Sequence, residues 1–250
     1  MNIKQIFILS FLIAMNMQFA IGQNQSKAYD FPIKPGTKEW ARLDTYEKRL
    51  DAYNVPEKLL QNMNTADLVQ TCLNYPEFRL IMTRNSLQQG YDYLKSVFNG
   101  FSELEKRKDA GTELLKVYEK LNPAEITKYD TPVKRGGFAF EFTYIEIILA
   151  QKAVLINLSK KEKVGLIKKS VSDYEIKERM TDNYSPFGLT TPALILGRLL
   201  DIDKFQEFYT KKAKDSKMQS FVDYTHLGSR STLSDIIKIS KLYLKQIENE

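Results

Sequence analysis

The segment FAFEFTYIEIILAQKAVLINL, Phe138–Leu158, can be read as strand or as helix. Phe138, Phe140, Phe142 and Tyr144 alternate with other residues, which is the period of a half-buried strand. The segment then continues for about twenty residues without Gly or Pro, longer than strands usually run. Phe138, Phe142, Ile145, Leu149, Ala153 and Ile156 also fall on one helical stripe. Length decides between the two: the segment is a helix, apolar on most sides and therefore buried, near 138–158.

Outward from it, Gly, Pro and Asn signals punctuate segments of helical periodicity. Trp40, Leu43, Glu47 and Leu50 trace one face, with Thr37 as N-cap. Pro56 opens PEKLLQNM at a position where proline is tolerated. Thr65 can cap a helix carrying Leu68, Val69, Cys72 and Leu73, and Ser86–Phe98 and Thr112–Leu121 are amphipathic. Ser159 and Glu162 have the spacing of a capping box. Thr191-Pro192 starts ALILGRLLDI, and Ser231 or Thr232 begins a last helix. About ten mostly short helices make an all-α protein, an irregular bundle or loose stack of helical hairpins around the buried segment. No repeat period is evident. The expected division is an N-terminal lobe, 23–135, and a C-terminal lobe, 136–250, packed as one unit.

The first residues point to export. A charge at Lys4 precedes the apolar run IFILSFLIAM (Ile6–Met15), and small residues follow at Ala20 and Gly22. This is the layout of a secretory signal peptide, 1–22, cleaved before Gln23, with the product periplasmic or secreted. The run is short for a membrane span, and no later stretch is apolar enough to be one.

Composition removes several kinds of chemistry. The 250 residues contain one Cys and one His, too few for a disulfide framework or a multi-cysteine or histidine-paired metal centre. No cofactor and no metal are expected. Cys72 reads as a buried structural thiol. The net charge of +6 is uneven: residues 23–150 hold 18 basic and 18 acidic side chains, residues 151–250 hold 18 and 13. Lys160, Lys161, Lys163, Lys168 and Lys169 are interleaved with Glu162, Asp173 and Glu175, which reads as a solvated face. No DNA- or RNA-binding motif is present, so nucleic acid is not an expected partner.

Four pieces, YDFPIKPGTKEW (Tyr29–Trp40), VPEKLL (Val55–Leu60), TADLVQTCLNYP (Thr65–Pro76) and FNGFSELEKRKDAG (Phe98–Gly111), resemble a recurring helical domain of uncharacterised exported bacterial proteins. The resemblance implies an exported helical protein. It brings no catalytic residues with it.

Five features remain as candidates for chemistry. Glu141 and Glu146 lie in the most apolar segment, but five residues place them about 140° apart around a helix, so they do not converge as a glycosidase pair from one face. Each reads as a helix-edge residue or as paired with a base such as Arg198. Lys134-Arg135-Gly136-Gly137, before the central segment, is a small-anion candidate or a hinge, without the spacing of a P-loop. The stretch Thr181–Pro192 reads as a long loop whose Asp182, Asn183, Tyr184 and Phe187 suit peptide or sugar contacts. His226 reads as a capping or surface residue. The expectation is a non-enzymatic exported protein that binds a partner protein or cell-envelope component through a helix-lined groove, its oligomeric state open. The alternative is a carboxylate-based envelope glycan hydrolase or lyase.

Overall fold

The computed structural model describes residues 27–249 except Ser185 and Leu227. The segment read as a signal peptide lies outside the described residues. Among those residues all regular structure is helical. The first half comprises α1 (Lys38–Ala41), α2 (Tyr46–Asp51), α3 (Glu57–Asn62), α4 (Thr65–Leu73), a 3₁₀ turn (Phe78–Thr83), α5 (Leu87–Val97), α6 (Asn99–Lys106) and α7 (Ala110–Tyr118). A second 3₁₀ turn (Pro123–Lys128) leads to α8 (Pro132–Leu149), α9 (Lys152–Leu155), α10 (Lys160–Arg179) and α11 (Pro186–Ile202). The chain ends in α12 (Gln206–Lys214), α13 (Ser216–Tyr224) and α14 (Arg230–Asn249). The fold is all-α.

Side-chain caps set many of the boundaries. Thr37 and Ser86 accept backbone N–H bonds at the starts of α1 and α5, and Ser159 with Glu162 closes both bonds of the capping box on α10. Thr45 caps α2, so the face read as one helix from Trp40 to Leu50 is two. Asn64, not Thr65, caps α4; the Thr65 hydroxyl instead donates to Asp109.

Two boundaries move further. The 138–158 helix is present, but it begins at Pro132. Thr131 caps it, Pro132 supplies the preset φ of a first helical residue, and Gly136 and Gly137 fall inside it. It ends at Leu149, where Gln151 turns extended and its side chain returns a hydrogen bond to Ile147 O. The second shift is in Thr181–Pro192. Only its first residues are a turn, and α11 starts at Pro186 and carries Pro192 in its interior. A proline there forfeits one backbone bond, which burial of every residue from Gly188 to Leu200 offsets.

That burial makes α11 the axis of the second half. It packs against α8, α10 and α14, and α10 also packs on α14. In the first half α4 packs on α6 and α7, α5 packs on α6 and the first 3₁₀ turn, and α7 meets α8. The buried apolar residues join into one cluster from Phe31 to Ile247. No helix among the described residues is long and apolar enough to cross a membrane.

Candidate functional site

Glu146 lies on the buried side of α8 and has no exposed surface. Lys177 of α10, equally buried, brings Nζ to 2.7 Å from Oε1 and 2.9 Å from Oε2. Tyr118 donates to Oε1 at 2.8 Å, and Thr191 of α11 donates to Oε2. Next to this group, Asp173 accepts two 2.7 Å bonds from Lys169, whose ammonium also donates to Leu121 O. Burial pulls the Lys177 pKa down against the pull of Glu146. Burial and the Glu146 carboxylate push Asp173 up to about 6, against Lys169. The base expected for Glu146, Arg198, is elsewhere. It donates to Ala150 O and Val222 O, near the C-terminal ends of α8 and α13, and to the Thr225 hydroxyl. Carbonyls at helix C-termini suit a cation, so Arg198 is buried without a bonded carboxylate.

This arrangement gives Glu146 no face for a substrate. Glu141 lies on the exposed side of α8, where partial burial raises its pKa without a carboxylate partner contributing. The two acids therefore do not flank a common space. Lys134 pairs with Asp130 at 2.9 Å on the surface. The Arg135 N–H is already bonded to Thr131 O, so the second turn of α8 has no cradle of free amides for an anion.

The side chains that do meet around open space are on α8 and the start of α11. Gly136, Ala139, Phe140 and Thr143 share one face of α8, and with Asn183, Tyr184, Phe187, Gly188 and Met82 they line a cavity of about 210 Å³. No lining residue is acidic or basic. Phe140 is 40% exposed and leans on Tyr144, which stacks on Phe78 at 4.0 Å. Tyr184 is held by a 2.8 Å bond from its hydroxyl to Pro123 O and an edge contact with Phe142. Two more cavities adjoin it: one of about 80 Å³ shares Met82 and Phe187, and one of about 550 Å³ shares Tyr184 and includes Leu189, Arg230 and Leu233. Asn183, Tyr184 and Phe187, expected from sequence as contact residues, thus come together with Gly136, while Asp182 is exposed outside the cavity lining.

Several of the other charged side chains are held in ion pairs. Lys163, Lys168, Lys211, Lys212 and Lys241 pair with Asp203, Glu248, Asp235, Asp201 and Asp223, and Glu175. His226 is exposed, with Nδ1 2.8 Å from the Ser220 hydroxyl. Cys72 is buried, and burial pushes its thiol pKa up. Among the described residues no three His, Cys, Asp or Glu side chains gather as a metal centre would need.

Met82, Phe140 and Thr143 were not read from the sequence as contact residues. The signal was present in the i, i+3, i+4, i+7 set Gly136, Ala139, Phe140 and Thr143, hidden by reading Gly136-Gly137 as a break. Comparison of the chain with protein-family models, with curated proteins and with solved structures returned no match.

Proposed function

We propose that this chain is an exported, non-enzymatic helical protein that binds a partner protein through the face where α8 meets the start of α11. The observation that carries this reading is the uncharged, aromatic-walled cavity between Phe140, Tyr184 and Phe187, with Met82 and Phe140 partly exposed at its rim. Clustered apolar and aromatic surface around a concavity is the composition of an interface centre. The carboxylate reading lacks comparable support, because Glu146 is bonded to Lys177, Tyr118 and Thr191 with no surface exposed.

The test is site-specific photo-crosslinking in cells that produce the chain natively. A benzophenone side chain is placed at position 140 and, as a control, at position 209, where Tyr209 is 53% exposed on α12. A discrete protein adduct from position 140 and none from position 209 is the expected result. Equal labelling from both positions, or none from either, overturns the proposal.

A further inference from the structure

The 210 Å³ cavity has one feature that a purely apolar contact patch would not need. Thr143 is 4% exposed and lines the cavity, yet its hydroxyl makes no hydrogen bond to any described residue. Threonines and serines in helix interiors commonly return their hydroxyl to the carbonyl four residues back. Thr71 and Ser240 do so in this protein. A hydroxyl that is not turned back onto its own helix and borders an open cavity can bond to whatever enters.

We infer that the cavity holds the side chain of a single tyrosine from the partner protein, with the phenol hydroxyl bonded to Thr143. This deepens the partner-binding reading above and rests on it. Three properties select the ligand. A volume of about 210 Å³ admits one ring. The lining has no acidic or basic side chain, so the ring is neutral. Phe140, Tyr184 and Phe187 offer faces and edges to an aromatic ring, while polar side-chain groups come from Thr143 and Asn183, since the Tyr184 hydroxyl is already engaged by Pro123 O. A pyranose carries hydroxyls around its whole edge and would leave several unpaired in such a lining. A phenol has an apolar body and one polar handle, and matches it.

The test uses the full chain with N-acetyltyrosinamide, N-acetylphenylalaninamide and N-acetylglucosamine as probes. Binding is followed by saturation-transfer NMR and by the methyl resonances of Thr143 and Met82. The tyrosine amide is expected to bind about five-fold more tightly than the phenylalanine amide, the difference one hydrogen bond makes, with the sugar weakest. Thr143→Val keeps the shape and should abolish that preference, leaving the phenylalanine amide unchanged. Phe140→Ala should weaken both amides, and unaltered thermal unfolding shows that each variant is folded. Equal binding of the two amides to the wild-type chain, preference for the sugar, a tyrosine preference that survives Thr143→Val, or no binding at all overturns the inference. Crosslinks from position 140 without a tyrosine preference would remove only the choice of side chain. A tyrosine preference without crosslinks would remove the protein partner.

Discussion

Lys177 and Glu146, 31 residues apart on α10 and α8, form a bidentate ion pair with 2.7 and 2.9 Å contacts, and neither side chain has exposed surface. Both charges have left water, so their attraction must offset a desolvation cost of several kcal/mol for each ion. Tyr118 and Thr191 supply the further hydrogen bonds that a buried carboxylate requires. The Lys177 ammonium also lies 4.5 Å from the centre of the Phe142 ring. Four helices are thereby tied at one point: α7, α8, α10 and α11.

Breaking this pair on one side should cost far more than removing it. Glu146→Leu or Lys177→Met alone strands a buried charge and is expected to cost about 3–5 kcal/mol in urea unfolding. The double variant should recover most of that loss, giving a large coupling energy between the two positions. Additive losses would show that the pair is not a coupled unit.

Asp173 gives the network a pH dependence. Its folded pKa of about 6 lies above the ordinary Asp value of about 3.9. The folded state therefore holds this proton more tightly than the unfolded chain does. The stabilisation is full below about pH 4 and is lost as pH rises through 6. Asp173→Asn removes the titration. Wild-type stability relative to that variant should fall by on the order of 2–3 kcal/mol between about pH 4 and 7. Urea titrations across that window check this, and a flat or rising difference rejects it.

Legibility from sequence follows the range of the interaction involved. The Ser159–Glu162 capping box, the Thr37 cap and the fold class were readable because each depends on neighbours three or four residues away. The start of α11 was not readable. In sequence Pro192 signals a helix start, and the burial that lets it sit mid-helix comes from α8, α10 and α14. Lys177 was equally hidden: within α10 it is one more charge, and only the placement of α8 supplies Glu146. Of the site, Asn183, Tyr184 and Phe187 were recognisable by residue type, whereas their meeting with Phe140 and Thr143 is a tertiary event.

Two glycines in helices should respond to alanine in opposite ways. A Cβ on Gly90, in α5, would lie 2.0 Å from Ile81 O and 2.7 Å from its carbonyl carbon, so the helix could not approach the first 3₁₀ turn. Gly90→Ala is expected to cost about 2–4 kcal/mol despite alanine's helix propensity. A Cβ on Gly137, in α8, meets nothing within 4 Å. Gly137→Ala should stabilise by about 0.5–1 kcal/mol. Loss of stability at Gly137 would instead support the hinge read from the sequence.

Cys72 offers a way to ask whether the two halves unfold together. It is the only cysteine, fully buried in α4, with its thiol pKa raised by burial. The thiolate is the reactive form, so a thiol reagent should reach it only when that part of the chain opens. Where reclosing outpaces labelling, the rate reports the opening equilibrium. The buried cluster runs without interruption from Phe31 to Ile247, which favours one cooperative transition. Lys177→Met, in the second half, should then speed Cys72 labelling in native buffer by roughly 100-fold for a 3 kcal/mol loss, since each 1.4 kcal/mol is a factor of ten. An unchanged rate in a variant that has measurably lost stability would mean that the first half opens on its own, and that the 23–135 and 136–250 lobes are separate folding units.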